Sequence, residues 1–152
     1  MNYNIGGGEH EMEGYINVDR RHGLEAYPLD VPDCSADFIR ASHVLEHFPY
    51  RVVPSIVIDW TNKLKVGGRL RIAVPDFRLI SQRYLAGEEI LVQSYIMGGQ
   101  KDEDDYHKTI FDEASLTHYM KRAGLTRIGR WLSEIPDCAG LDISLNLEGW
   151  KL

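Results

Sequence analysis

Cysteine is scarce: the chain has two, Cys34 and Cys138, and their separation gives no metal-binding pair. With so few thiols neither a disulfide framework nor a thiolate cluster is expected, and a reduced, cytoplasmic setting is the simple reading. Long apolar runs are missing too. No stretch approaches the roughly 20 residues that a membrane span needs, and the first residues lack the basic start and apolar core of a secretory signal. Positive charge is in deficit. Against 17 basic residues stand 23 acidic ones, a net charge of −6. This argues against binding to bulk nucleic acid or to an anionic membrane, and leaves room only for a local basic patch. There is no internal repeat and no low-complexity segment. The dinucleotide fingerprint G-x-G-x-x-G, opening a helix and followed about 20 residues later by an acid, is absent as well. What remains is a 152-residue chain with 43% hydrophobic residues, read as a single domain spanning 1–152 around one core.

The N-terminal stretch Asn2–Asp19 is the chemical centre of the sequence. Tyr3 and Ile5 make a brief apolar run, Gly6, Gly7 and Gly8 follow, and Tyr15–Val18 forms a second extended stretch ending at Asp19. Glycine lets the backbone take φ > 0 and lets a ligand approach without a Cβ in the way. A carboxylate at the carboxyl end of a strand, beside a glycine turn, is placed to take ribose hydroxyls. A nucleotide-like ligand across Gly6–Gly8 with its ribose on Asp19 is one reading; a simple turn is the other. Eleven positions separate Gly8 from Asp19 with no apolar helical period between them, so no crossover helix is expected there.

Residues 20–36 read as a loop. Within it Glu25, Ala26 and Leu29 offer a carboxylate and an apolar slot suited to a flat base with an exocyclic amine, or else a solvated surface. Asp37–Ser42 reads as a strand, and Ser42-His43-Val44-Leu45-Glu46-His47 follows its end. His43 and His47 lie four apart, a helical and a metal-ligand spacing, but no third ligand is evident in the sequence and no metal is expected. An imidazole near its ordinary pKa is a ready proton acceptor; one of the two can equally be structural. Pro49–Leu64 holds a helix with Ile56, Val57, Trp60 and Leu64 on one face, ended by Gly67-Gly68. Arg69–Val74 is a strand, and Asp76 caps the next helix or faces the cleft. Residues 77–97 form a helix in two pieces, broken near Gly87. Residues 98–107 read as a solvated acidic loop or as a lid hinged at its glycines, with Gln100 and His107 near a substrate. Asp112 caps a further helix, Thr126–Leu132 is a strand, and Leu141–Glu148 alternates as a strand covered on one face, antiparallel to its neighbour.

Taken together, the glycine loop, Gly14–Asp19, Leu29–Asp37, Ser42–His47 and Leu64–Asp76 resemble, in order, the motifs of class I S-adenosylmethionine-dependent methyltransferases, and among them the methyltransferase type 11 group. Gly98-Gly99-Gln100, His107 and Phe111-Asp112 match as well. The resemblance implies a Rossmann-like α/β sheet, mostly parallel with an antiparallel last strand, here lacking the N-terminal and first crossover helices. It implies S-adenosyl-L-methionine as cofactor. Gly6, Gly7 and Gly8 would pass its methionine part, Asp19 its ribose, and Glu25, Ala26 and Leu29 its adenine, with Ser42 and His43 beside the sulfonium. Methyl transfer to an oxygen or nitrogen of a small molecule or sugar would then use His47, His107 or His43 as base. The missing helices leave a sheet face that is solvated or covered by a partner subunit or a second copy. A non-catalytic subunit that keeps the fold is the competing reading.

Overall fold

The computed structural model describes residues Met1–Leu152. In chain order the elements are β1 (Asn2–Ile5), β2 (Ile16–Val18), β3 (Ala36–Ser42), α1 (Val53–Lys63), β4 (Leu64–Pro75), α2 (Phe77–Leu85), α3 (Val92–Met97), α4 (Glu113–Arg122), β5 (Leu125–Arg130) and β6 (Ser144–Lys151). The six strands form one sheet in the order β2-β1-β3-β4-β6-β5. The pairs β2–β1, β1–β3 and β3–β4 are parallel, whereas β6 is antiparallel to both β4 and β5. Only the last strand therefore runs against the rest. The expected mostly parallel sheet is present with six strands, and residues 20–35 make a 3-10 turn at Arg20–His22 and a loop with no strand. No helix joins β1 to β2, as the short glycine-to-Asp19 interval predicts.

Strand register sorts the side chains into two sets. Tyr3, Ile39, Leu70 and Gly149 lie across one row, and Ile5, Ala41, Ile72 and Leu147 across another. All point to the face packed by α1 and α4, where Ile56, Val57, Trp60, Leu116 and Met120 are buried in a single core with them. Helix α1 forms because its apolar residues recur at helical spacing behind Pro54 in the first turn. Helix α4 starts on a capping box in which Asp112 and Ser115 satisfy each other's backbone N–H groups. Asp76 caps α2 by accepting from Leu79 N.

Two elements differ from expectation. Helix α1 ends at Lys63 and β4 begins at once; Gly67 and Gly68 lie inside the strand, not at the helix end. Between the pairs Ala36–Leu64 and Phe38–Arg69 the register slips. Gly67, at φ +80, supplies the left-handed residue of that bulge. The final strand starts at Ser144, three residues later than the apolar alternation at Leu141. Its second face is not open: the segment after β5 folds back and sets Trp131 and Ala139 against Ala73, burying Asn146 as well.

The rest of that second face is polar and aromatic. Arg40 is buried, 2.6 Å from Asp137, with its guanidinium over the Trp131 ring. Arg71 lies over both Trp131 and Phe38 and pairs with Glu148 at 2.7 Å. Arg69 stacks on Phe38 and Trp150. Arginine planes lie flat on aromatic rings and keep their fork for carboxylates, so side chains alone cover much of the face.

Candidate functional site

The carboxyl ends of β1, β2 and β3 meet at a cavity of about 440 Å³, inside the roughly 300–1,000 Å³ range of small-molecule sites. Gly6, Val18, Asp19, Leu24, Glu25, Ala26, His43, Val44, His47 and Phe48 line it, with Arg20, Asp104 and Lys108 at its edge. Gly6 closes β1 at φ +67, and a Cβ there would come within 2.2 Å of Val44 Cγ2. Only glycine fits this bend. Asp19 ends β2 and caps the 3-10 turn, accepting from Arg21 N at 3.0 Å through Oδ1. Its Oδ2 makes no hydrogen bond within the chain and is free for a ligand hydroxyl.

Six of the residues expected at a ligand converge here: Gly6, Asp19, Glu25, Ala26, His43 and His47. Gly7, Gly8, Leu29, Ser42 and His107 do not line the cavity. Gly7 turns toward Asn4, whose side chain would meet a Cβ at 2.3 Å, and Gly8 faces open space. Leu29 is buried in the core, with its N–H donating to Asp59 Oδ2. Leu24, not anticipated from the sequence, is on the cavity in its place. Ser42 is the strand neighbour of His43 and falls on the Arg40 face. Val44, Phe48 and Lys108 also carry no spacing signal; they are brought in by the turn after β3 and by the chain passing beneath it.

Arg20 spans the mouth. Its guanidinium pairs with Glu25 at 3.0 Å and with Asp104 of the 98–107 loop. That loop is held by its own acids rather than solvated at random: Asp105 accepts from Gln100 N and Lys101 N, and Asp102 from Asp104 N. Gln100 lies away from the cavity.

Behind the cavity sits a buried polar cluster. His43 takes a left-handed conformation, φ 53, at the end of β3, a strained setting for a non-glycine residue. Its neighbours fix a proton on its Nε2. Asn146 Nδ2 donates to Ala139 O, which leaves Asn146 Oδ1 to accept from Ser144 Oγ. Ser144 Oγ in turn accepts from His43 Nε2 at 2.9 Å. His43 Nδ1 then faces Glu46 Oε1 at 3.2 Å, without hydrogen-bond geometry. Glu46 is 1% exposed, and neither of its carboxylate oxygens has a hydrogen-bond partner. Burial pushes this carboxyl up, but the adjacent His43 and His47 outweigh it and hold it below the usual carboxylate range. His107 packs edge-on against His47, ring centres 4.8 Å apart. His107 Nδ1 lies 3.0 Å from Tyr95 O and must donate to it, so Nε2 keeps its lone pair, 4.0 Å from Glu46 Oε1. Burial holds the His107 imidazole below its ordinary range, against the pull of Glu46. His47 Nδ1 is buried without a partner.

The sequence matches no described family model, and no curated protein matches it either. Solved structures do. A SAM-dependent methyltransferase from Methanosarcina mazei aligns with 99% of this chain and 92% of its own at TM-score 0.64 and 16% identity. One from Thermotoga maritima aligns with 99% and 82% at TM-score 0.62 and 16% identity. A chain of the complex between the Haloferax volcanii Trm112 methyltransferase activator and a methyltransferase aligns with 98% and 80% at TM-score 0.58 and 13% identity. With its reversed last strand inserted beside β4, the chain has the class I methyltransferase fold.

Proposed function

We propose that this chain binds S-adenosyl-L-methionine in the cavity at the ends of β1–β3 and transfers its methyl group to an oxygen or nitrogen of a small molecule or sugar. One observation carries the reading: in a methyltransferase fold, the glycine bend at Gly6 and the free Oδ2 of Asp19 open onto the same cavity as Glu25 and Ala26. The charges at the rim are mixed, Asp19 and Glu25 with Arg20, Arg21 and Lys108, as a ligand with a carboxylate, an ammonium and a sulfonium requires. Asp19 takes the ribose hydroxyls, while Glu25 and Ala26 with Leu24 hold the base.

Displacement at a methyl carbon needs the acceptor in line with the sulfonium, and holding it there supplies up to roughly 7–11 kcal/mol in well-oriented systems. An acceptor that carries a proton also needs a base, worth about 10²–10⁴ in rate. His47 faces the cavity and is the first choice; His43 is the second, and His107 stands behind His47. A second reading is a cofactor-binding subunit that works with a partner. Two observations favour it: the arginine and aromatic face carried by Arg69 and Trp150, and the activator in the complex of the Haloferax volcanii neighbour.

The test is calorimetric titration with S-adenosylmethionine and its demethylated product. Saturable binding by the wild type, weakened at least tenfold in Asp19→Ala, is expected. No heat at millimolar ligand would overturn the reading.

A further inference from the structure

Three observations point to one missing species beneath the cavity. The Glu46 carboxylate is sealed from solvent with both oxygens unpartnered. His107 presents the lone pair of Nε2 toward it, because Tyr95 O fixes the proton on Nδ1. His47 Nδ1 is buried and unpartnered as well. One donor atom each from Glu46, His47 and His107 lies within 4.8 Å of the others. Lone pairs aimed at each other across a dry space repel, and each unsatisfied buried group costs about 1–3 kcal/mol, more when charged. A cation at their centre satisfies them all.

We propose that Glu46, His47 and His107 bind a divalent transition-metal cation. Two imidazoles and one carboxylate suit zinc, manganese, iron or cobalt; the oxygen-seeking magnesium and calcium prefer carboxylates, carbonyls and water. Bonds of about 2.0–2.2 Å to nitrogen and oxygen put tetrahedral ligands roughly 3.4 Å apart, so shifts of about an ångström bring this set to bonding distance. The Tyr95 carbonyl is the outer partner that holds the ring of a metal-bound histidine and makes it a better ligand. His43 Nδ1 stands 3.2 Å from Glu46 Oε1, outside the ligand set. In the sequence His43 and His47 stand at ligand spacing with no evident third donor. Glu46 lay hidden between them, and His107 is 60 positions beyond His47.

Three protein ligands leave an open position, as at catalytic rather than structural metal sites. His47 lies on the cavity, so the open position is on that side. There the cation would take an acceptor oxygen of the substrate and lower the pKa of its hydroxyl, and would replace His47 as the group that activates the acceptor. That role rests on the methyl-transfer reading; binding of the ion does not.

The probe is Co²⁺ added to chelator-treated, dialysed full-length chain, followed by visible absorption and by elemental analysis after gel filtration. Expected are one cobalt per chain, the intense bands of a low-coordinate site and displacement by equimolar Zn²⁺. Glu46→Gln and His107→Asn are each expected to weaken cobalt binding at least tenfold, with circular dichroism confirming the fold; either variant suffices. Absence of saturable cobalt binding to the wild type would overturn the proposal. So would undiminished binding in a folded variant, which would assign the ion to surface histidines. Cobalt binding by a chain that fails to bind S-adenosylmethionine would leave the metal site standing and remove only its role in methyl transfer.

Discussion

One face of the sheet is built from isoleucine, leucine and valine and is covered by α1 and α4. The other carries Arg40, Arg69 and Arg71 over Phe38, Trp131 and Trp150, with no α-helix upon it, only the short 3-10 turn Cys138–Gly140. Both keep water from the strands. The first does so by burial of apolar area, which is non-directional and insensitive to pH. The second does so by cations laid on rings and paired with carboxylates, which is directional and depends on charge. A sheet face can therefore be closed by side chains where helices are absent, at the cost of making it responsive to acid and salt.

Three substitutions probe that contrast. The largest effect is expected on the helical face. Trp60 is fully buried and donates to Ala26 O at 2.7 Å. Trp60→Ala should cost about 3–5 kcal/mol, read as a drop in urea midpoint relative to wild type that has the same size at pH 4 and pH 7. Next comes Asp137→Asn on the opposite face, which strands the buried Arg40 and should cost about 3 kcal/mol at neutral pH. Burial alone would raise the Asp137 carboxyl, but Arg40 outweighs it and holds it below the usual range. A depressed folded pKa means that the pair stabilises the protein above the unfolded value of about 3.9 and loses that contribution as pH falls through the lower folded value. The gap between wild type and Asp137→Asn should thus narrow below about pH 4. A gap constant with pH would break the contrast. The smallest effect is expected from Arg69→Ala, where a partly exposed guanidinium leaves Phe38 and Trp150: about 0.5–1 kcal/mol, with increased thermal aggregation as the check on the uncovered rings.

The apolar face was legible in the sequence because helical and strand periods mark it residue by residue: Ile56, Val57 and Trp60 in α1, Leu70, Ile72 and Val74 in β4. The second face was not. Arg40, Arg69 and Arg71 read as ordinary solvated positions, since a cation on a ring has no period and its partners, Trp131 and Asp137, come from a distant loop. The apolar alternation of Leu141–Glu148 was seen, but not that Trp131 and Ala139 close over it. At the cavity, the strand-end residues Gly6, Asp19 and His43 were within reach of the sequence because topology places strand ends together. Leu24 and Lys108 were not, since a turn and a passing loop bring them in. His107 was anticipated near a substrate, yet its contact with His47 is set by the path of the 98–107 segment and by Tyr95 O.

The position of β6 has a consequence for biosynthesis. Of the six strands it is sixth in the chain, yet it lies between β4 and β5. As the polypeptide leaves the ribosome, β5 emerges with no strand to join, and the exposed edge of β4 waits for Ser144–Lys151. At about 5–20 residues per second, some 20 residues separate the two events, an interval of roughly one to four seconds. Through that interval the nascent chain presents an unpaired strand edge, the surface that holdase chaperones protect, and the sheet becomes continuous only when the gap between β4 and β5 is filled.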